Sequence, residues 1–399
     1  MIKINQSIFI SSLIFLFPVF INSVKVTGDL ILFITFLIGL YLSIARRETP
    51  FGTRHLKLAS AVVLFYFFVI MLSIVFSEKP DEIAHFMSRD LHFLLAPFIF
   101  FAFHKLNINL RSMLYGVKVG LVVLCPYIIF QLDNGVIRPS GVMNNEVFGH
   151  LNVILTFIAV INLKVESFRD RVFSLLAFSA GTYIMLLNET RGAWIVYCIL
   201  IIVSIYYLYR SKVFSSRVVS LIAISFVLLV ALALNTGSVK ERVNIATTQA
   251  QEWMAGEKYI DSSVGLRLEM WSAGIRSIEN APLFGYGNHN ANLVAANYSD
   301  DRVKSHIASL NHLHNDYLNH FISKGFLGFL SVVGLLLLPL FVARSGPEIG
   351  YLIGVTLSVS YSIFALFNVV FGDVFMNAFY VFFVSIIIAL KKDKNIKKV

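Results

Sequence analysis

Three histidines fall within the stretch SLNHLHNDYLNHF, residues 309–321: His312, His314 and His320. Asn311, Asn315, Asp316 and Asn319 stand among them, and an apolar run follows. Imidazole has an ordinary pKa of about 6.5, so it trades protons at neutral pH and acts as a general base when a neighbour orients its ring. His312 and His314 point nearly opposite ways in a helix and share a face in an extended segment. Three readings of the pair stay open. One imidazole is a general base; or the pair binds metal with Asp316 or His320, though no acidic cluster accompanies them; or they are surface histidines where the chain meets a membrane.

Arginines supply the second kind of chemistry. Arg191 in LLNETRGAWIVY sits at the end of an apolar block. A guanidinium there offers a planar fork of donors suited to phosphate and is never neutralised; the alternative is pairing with Glu189 or snorkelling to headgroups. Arg267 in VGLRLEMW lies near Glu269 and Asp261 and reads either as a solvated charge or as the second half of a diphosphate clamp. Arg138 in VIRPSGVMNNEVFGH, with His150 nearby, lines a cavity or binds an acceptor; Lys118 snorkels or faces a cleft, and Asp373 lies in a short connection. For these the structural reading is at least as strong. Gly285 and Gly287 in FGYGN are turn residues, with no strand before them to make a nucleotide-phosphate loop.

These groups need elements to position them. Of the 399 residues, 57% are hydrophobic and only 14% charged, with a mean hydropathy of +0.76. Soluble chains carry roughly 25% charged residues, so this composition excludes an ordinary soluble domain. The expected class is an all-α polytopic membrane protein with about 12 transmembrane helices. The apolar blocks lie near 6–22, 28–45, 58–76, 91–103, 112–131, 148–163, 172–188, 192–209, 218–234, 324–342, 349–370 and 376–390. The first block follows Lys3 without a small-x-small cleavage site and reads as a span, not a signal peptide. Arg46, Arg47, Arg54, Lys57, Arg210, Lys212, Arg217, Lys391 and Lys392 cluster in alternate connections, which places both termini in the cytoplasm. The net charge of +10 therefore marks loops facing an anionic leaflet, not a nucleic-acid surface. Cys125 and Cys198, both within apolar blocks, form neither a disulfide framework nor a metal motif.

The chain reads as one integral membrane domain, 1–399, with a large loop at 235–323 between the ninth and tenth spans. Loops of that length are usually functional or separately folded. Within it a helix is predicted from Val264 to Glu279, its apolar face formed by Leu268, Trp271, Ile275 and Ile278, and Pro282 with Gly285 ending it.

The motifs NETRGAW, GLRLEMW…APLFGYGN and HLHNDYLNHFISKGFLGF occur in that order, and together they resemble the O-antigen ligase and polymerase superfamily of bacterial envelope glycosyltransferases. The resemblance covers the chain as topology and is motif-level from about 186 to 330. It implies a C-type glycosyltransferase-like fold and a glycan donor on undecaprenyl diphosphate, used at the periplasmic face of the inner membrane without nucleotide sugar, metal or other cofactor. It carries the clamp arginines onto Arg191 and Arg267 and the base onto His314, with His312 its nearest rival. His312, Asn315, Tyr317 and Arg138 become expected substrate contacts. Lys324 departs from the acidic residue relatives often place before GxxG, which puts acceptor contacts there in doubt. Lipid A–core as acceptor defines the ligase; joining repeat units defines the polymerase, and a protein O-glycosyltransferase carries a larger C-terminal region. The His-x-His-Asn-x-Tyr block and the single dominant loop favour the ligase. One base and no evident carboxylate nucleophile point to inversion at the anomeric carbon. A lipid-linked glycan transporter is the alternative of another class; it predicts mid-span charges and repeat symmetry, and only Lys118 approaches that.

Overall fold

A computed structural model of the chain describes residues 2–75, 83–106, 108–212, 215–235, 237–256, 263–279, 283–287 and 290–390. Asp261, Pro282 and the basic tail from Lys391 onward lie outside the described residues. The regular elements are helices: α1 Ile2–Phe20, α2 Thr27–Arg46, α3 Arg54–Val75, α4 Ile83–Lys105, α5 Leu110–Asp133, α6 Asn145–Ala159, α7 Phe168–Asn188 and α8 Arg191–Ser211. They continue as α9 Ser216–Asn235, α10 Gly237–Met254, α11 Ser263–Ile278, α12 Ala291–Ala296, α13 Asp301–Ser309, α14 Asp316–Ala343, α15 Glu348–Phe364 and α16 Val374–Leu390. Local chemistry starts several of them. Asn109, Asn144, Ser167 and Asp300 each accept the N–H of a first-turn residue, satisfying a donor that a helix start leaves without a partner.

Among the described residues, six helices are long and apolar enough to cross a bilayer: Thr27–Arg46, Arg54–Ile74, Leu110–Asp133, Phe168–Asn188, Arg191–Ser211 and Asp316–Ala343. The expected count is thereby corrected. The chain is an all-α multi-pass membrane protein with about six spanning helices, not about twelve. The blocks at 148–163, 349–370 and 376–390 fold as helices of only 15, 17 and 17 residues. At about 1.5 Å per residue they fall short of a hydrocarbon core of about 30 Å. Two of them are also sheathed in protein: α6 buries every residue from Val147 to Ala159, and α16 every residue from Met376 to Leu390. A helix apolar on all sides suits a protein core as well as it suits lipid. The blocks at 6–22 and 218–234 fold within α1 and α9, whose described apolar stretches are Ile8–Phe20 and Ser216–Leu228, and the block at 91–103 is the apolar part of α4 beside Arg89 and Asp90.

The chain divides into two compact units. The first comprises Met1–Met71, Asp81–Tyr197 and Leu330–Val399; the second comprises Leu72–Pro80 and Cys198–Phe329. In the first unit α5 lies directly on α1. A Cβ on Gly116 or Gly120 would stand 2.3 Å from the Phe15 carbonyl and 2.6 Å from that of Pro18, the close approach that small residues four apart permit. Its centre is aromatic: Tyr66, Tyr361 and Tyr380 are buried and donate to the carbonyls of Phe371, Met376 and Leu335, so each phenol keeps a partner away from water.

The second unit holds its own core, made of Met270, Ala273, Ala291, Ala295, Ala296, Val303, Ile307, Leu313 and Ile322. The long connection is thus a folded helical body. Helix α11 forms where predicted, but its buried side is Gly265, Glu269, Met270, Ala273, Gly274 and Ser277, and Ile275 is exposed. Small residues let neighbours approach the backbone: Ile322, Leu313 and Leu318 all crowd the open side of Gly274. Helix α14 begins at Asp316 and breaks at Gly325, where φ is 66° and ψ −163°. The FGYG turn fills the break, with the N–H groups of Tyr286 and Gly287 bonding the carbonyls of Ile322 and Ser323 at 2.9 and 3.0 Å. A Cβ on Gly325 would meet the Leu283 carbonyl at 2.0 Å, and one on Gly285 the Gly325 nitrogen at 2.4 Å, so both positions exclude side chains.

Candidate functional site

In the second unit α11 carries Arg267 and, one turn on, Trp271. The indole N–H of Trp271 donates to the Leu313 carbonyl at 3.1 Å. Leu313 also buries its side chain completely in the core, so this residue is held at both ends. His312 and His314 flank it in non-helical backbone, and their rings meet edge to face with centroids 4.4 Å apart. The two histidines do share a face.

His314 adopts φ 48°, the left-handed region that residues other than glycine rarely occupy. Its backbone N–H donates to His312 Nδ1 at 3.2 Å. Its own Nδ1 is buried and has no hydrogen-bond partner. Burial first, then the electrostatic influence of neighbouring His312 and of the Arg267 charge, pushes the His314 imidazole down to about 3. The ring is therefore neutral at physiological pH and holds a lone pair ready to accept a proton, in the electrostatic reach of Arg267.

The neighbouring polar residues have structural partners. Asn315 Oδ1 accepts the Leu318 N–H at 3.1 Å and so caps α14. Asp316 and His320, fully buried one turn apart, pair at 2.6 Å, and His320 Nδ1 lies 3.0 Å from the Asp316 carbonyl. Lys324, also buried, follows one turn later. Tyr317 faces Phe329 with ring centroids 6.4 Å apart. Among the described residues no group of three or more His, Cys, Asp or Glu is placed to hold a metal ion.

The first unit carries Arg191 and Arg138. Helix α7 ends on Glu189, φ 57°, and α8 opens with Arg191, whose side chain is exposed. Arg138 reaches this joint: its Nε donates to the Asn188 carbonyl and its Nη2 to Thr190 Oγ1, both at 3.2 Å. Asn188 Nδ2 returns a bond to the Pro139 carbonyl at 3.1 Å, and Thr190 Oγ1 lies 3.0 Å from the Asn145 carbonyl. His150 stacks on Phe364 with centroids 3.7 Å apart and turns its Nε2 toward Gly192. Lys118 neither snorkels nor lines a cleft: it is buried against Glu166 at 2.6 Å. Asp373 accepts the N–H groups of Phe375 and Met376 and caps α16, while burial raises its carboxyl against those bonds.

Reading the sequence missed the Trp271 tether and the Asp316–His320 pair. The second had a signal, an Asp and a His four apart. The first had none beyond an aromatic at helical spacing, which reads as core.

Residues 172–333 match the sequence family described as O-Antigen ligase. That segment includes Arg191, Arg267, His312 and His314. An uncharacterized protein of Haemophilus influenzae is 25% identical over 307 residues, covering 74% of this chain and 74% of that relative.

Proposed function

We propose that this chain, a multi-pass membrane protein carrying an O-antigen ligase family domain, transfers O-antigen glycan from undecaprenyl diphosphate to a sugar hydroxyl of lipid A–core. The reaction takes place at the periplasmic face of the inner membrane, and both chain termini lie in the cytoplasm. The superfamily acts in lipopolysaccharide assembly, and the description of the matched family favours ligation over repeat-unit polymerisation.

The observation that carries this reading is His314, a neutral imidazole with a buried, unpartnered nitrogen on a bent backbone, in the field of Arg267. His314 takes the proton of the acceptor hydroxyl as its oxygen attacks the anomeric carbon. The bond from that carbon to the diphosphate oxygen breaks, undecaprenyl diphosphate leaves with the electron pair, and the configuration inverts. Arg191 and Arg267 neutralise charge growing on the leaving group, a contribution typically worth about 3–4 kcal/mol. The low basicity of the free imidazole then has a use. A bound diphosphate offsets the Arg267 charge, so His314 becomes a stronger base once donor is present.

The test is complementation in a bacterial strain lacking its own ligase. Wild type, His314→Ala, Arg191→Ala and Arg267→Ala are expressed at matched membrane levels and lipopolysaccharide is separated on a gel. The expected outcome is capped lipopolysaccharide with wild type only, transfer falling by about 10²–10⁴-fold in the His314 variant while lipid-linked glycan accumulates. Full capping by every variant overturns the catalytic assignment. A chain that lengthens glycans without capping the core is a polymerase.

A further inference from the structure

We propose that His312 is a positioning residue: its Nδ1 holds the backbone N–H of His314 in the left-handed bend, and it does not itself handle the acceptor's proton. This rests on the reading of His314 as the base.

The bond runs from the N–H of His314 to Nδ1 of His312 at 3.2 Å. A backbone N–H can only donate, so Nδ1 of His312 presents its lone pair, and the proton of the neutral ring resides on Nε2. A side-chain acceptor bonding the N–H two residues on is the geometry Asn and Asp use to make Asx turns. Here an imidazole takes that part. The need is plain, because a residue other than glycine in the left-handed region is disfavoured, and a hydrogen bond across the bend offsets part of that cost. Trp271 holds the intervening Leu313 carbonyl and the core holds its side chain. The three-residue bracket 312–314 is therefore restrained at its centre by α11, the helix that bears Arg267, and across its ends by His312. The edge-to-face contact of the two rings, centroids 4.4 Å apart, follows from that closure.

The two nitrogens of His312 can be told apart by substitution. Asn places its carbonyl oxygen one bond beyond Cγ, where Nδ1 stands; Gln places its oxygen one atom further, nearer to Nε2. The full-length protein carrying His312→Asn, His312→Gln or His312→Ala, with His314→Ala as control, is assayed in membranes. Transfer is followed from undecaprenyl-diphosphate-linked glycan to lipid A–core. His312→Asn is expected to keep the wild-type rate within about threefold. His312→Gln and His312→Ala are expected to lose about tenfold in kcat with KM little changed. Membrane level and thermal unfolding are measured for each, and Asn against Gln remains decisive if the Ala variant fails to accumulate.

An active Gln variant beside an inactive Asn variant overturns the proposal, since His312 would then act through Nε2. Asn, Gln and Ala variants all at the wild-type rate, or all inactive while folded, also overturn it, in either case with the base assignment standing if His314→Ala is inactive. Wild-type transfer by His314→Ala instead defeats the base assignment itself.

Discussion

Two bends set a residue other than glycine in the left-handed region next to a candidate functional group: Glu189, two residues before Arg191, and His314, which is itself the group. Their surroundings differ. The Glu189 joint lies in a polar lattice, with Arg138 bonded to Asn188 and Thr190, Asn188 bonded back to Pro139, and Thr190 beside Asn145. The His314 bend has the His312 ring edge to face against it, a bond to His312, a tether from Trp271 to the residue before it, and an imidazole nitrogen left without a partner. A joint over-determined by hydrogen bonds suits a residue that must present a fixed charge. Strain held at a group whose nitrogen is still open suits one that must react. The contrast also reassigns Arg138 in our account, from contacting substrate to holding the element that bears Arg191.

The contrast breaks or sharpens under substitution. The largest effect on stability should come from Arg138→Ala, which strips charged donors from two acceptors in the polar joint and should cost about 2 kcal/mol. Trp271→Phe removes one neutral bond at the other bend and should cost only about 1 kcal/mol. Denaturant unfolding in detergent compares them, and equal losses would dissolve the distinction between the joints. Next come the bends themselves. Glycine at either position relieves left-handed strain, so His314→Gly and Glu189→Gly should each stabilise by about 0.5–1 kcal/mol. His314→Gly should abolish transfer while Glu189→Gly keeps it within about twofold; a destabilised His314→Gly would show that the bend holds no strain.

The effect that is smallest at neutral pH is electrostatic. Folding holds His314 near about 3, against its ordinary 6.5. As pH falls the unfolded chain binds the proton first. The stability linked to this group is therefore complete above about 6.5 and drains away between there and about 3. Unfolding free energy measured across that window should fall more steeply for wild type than for His314→Asn. Superimposable curves would mean the ring is not held neutral by the fold.

Residue types and order alone made much of this legible. The density of apolar residues required membrane helices, since so few charges cannot coat a soluble surface. The crowding of His312, His314 and Asn315, and an arginine at the end of an apolar block, singled out the candidate groups. The helix carrying Arg267 was readable to within a residue at each end, because its start, length and apolar content are local properties. Its buried face was not: large side chains at 268, 271, 275 and 278 suggested one stripe, while packing buried Gly265, Glu269, Met270, Ala273, Gly274 and Ser277, with Leu313, Leu318 and Ile322 closing on Gly274.

What the sequence by itself determined, then, is composition-driven: an all-helical membrane protein, the identity of its chemical groups and the helix that carries Arg267. Tertiary structure alone decided which apolar helices meet lipid and which, like α16, vanish into protein, because both environments accept the same side chains. It also decided that Asn315 and Asp373 cap helices, that Lys118 is neutralised by Glu166, and that His312 faces His314. Lys118 with Glu166 and Trp271 with Leu313 are contacts between residues far apart in the chain, and even the short-range bonds of Asn315, Asp373 and His312 exist only once the backbone around them has been set, so no local spacing encodes them.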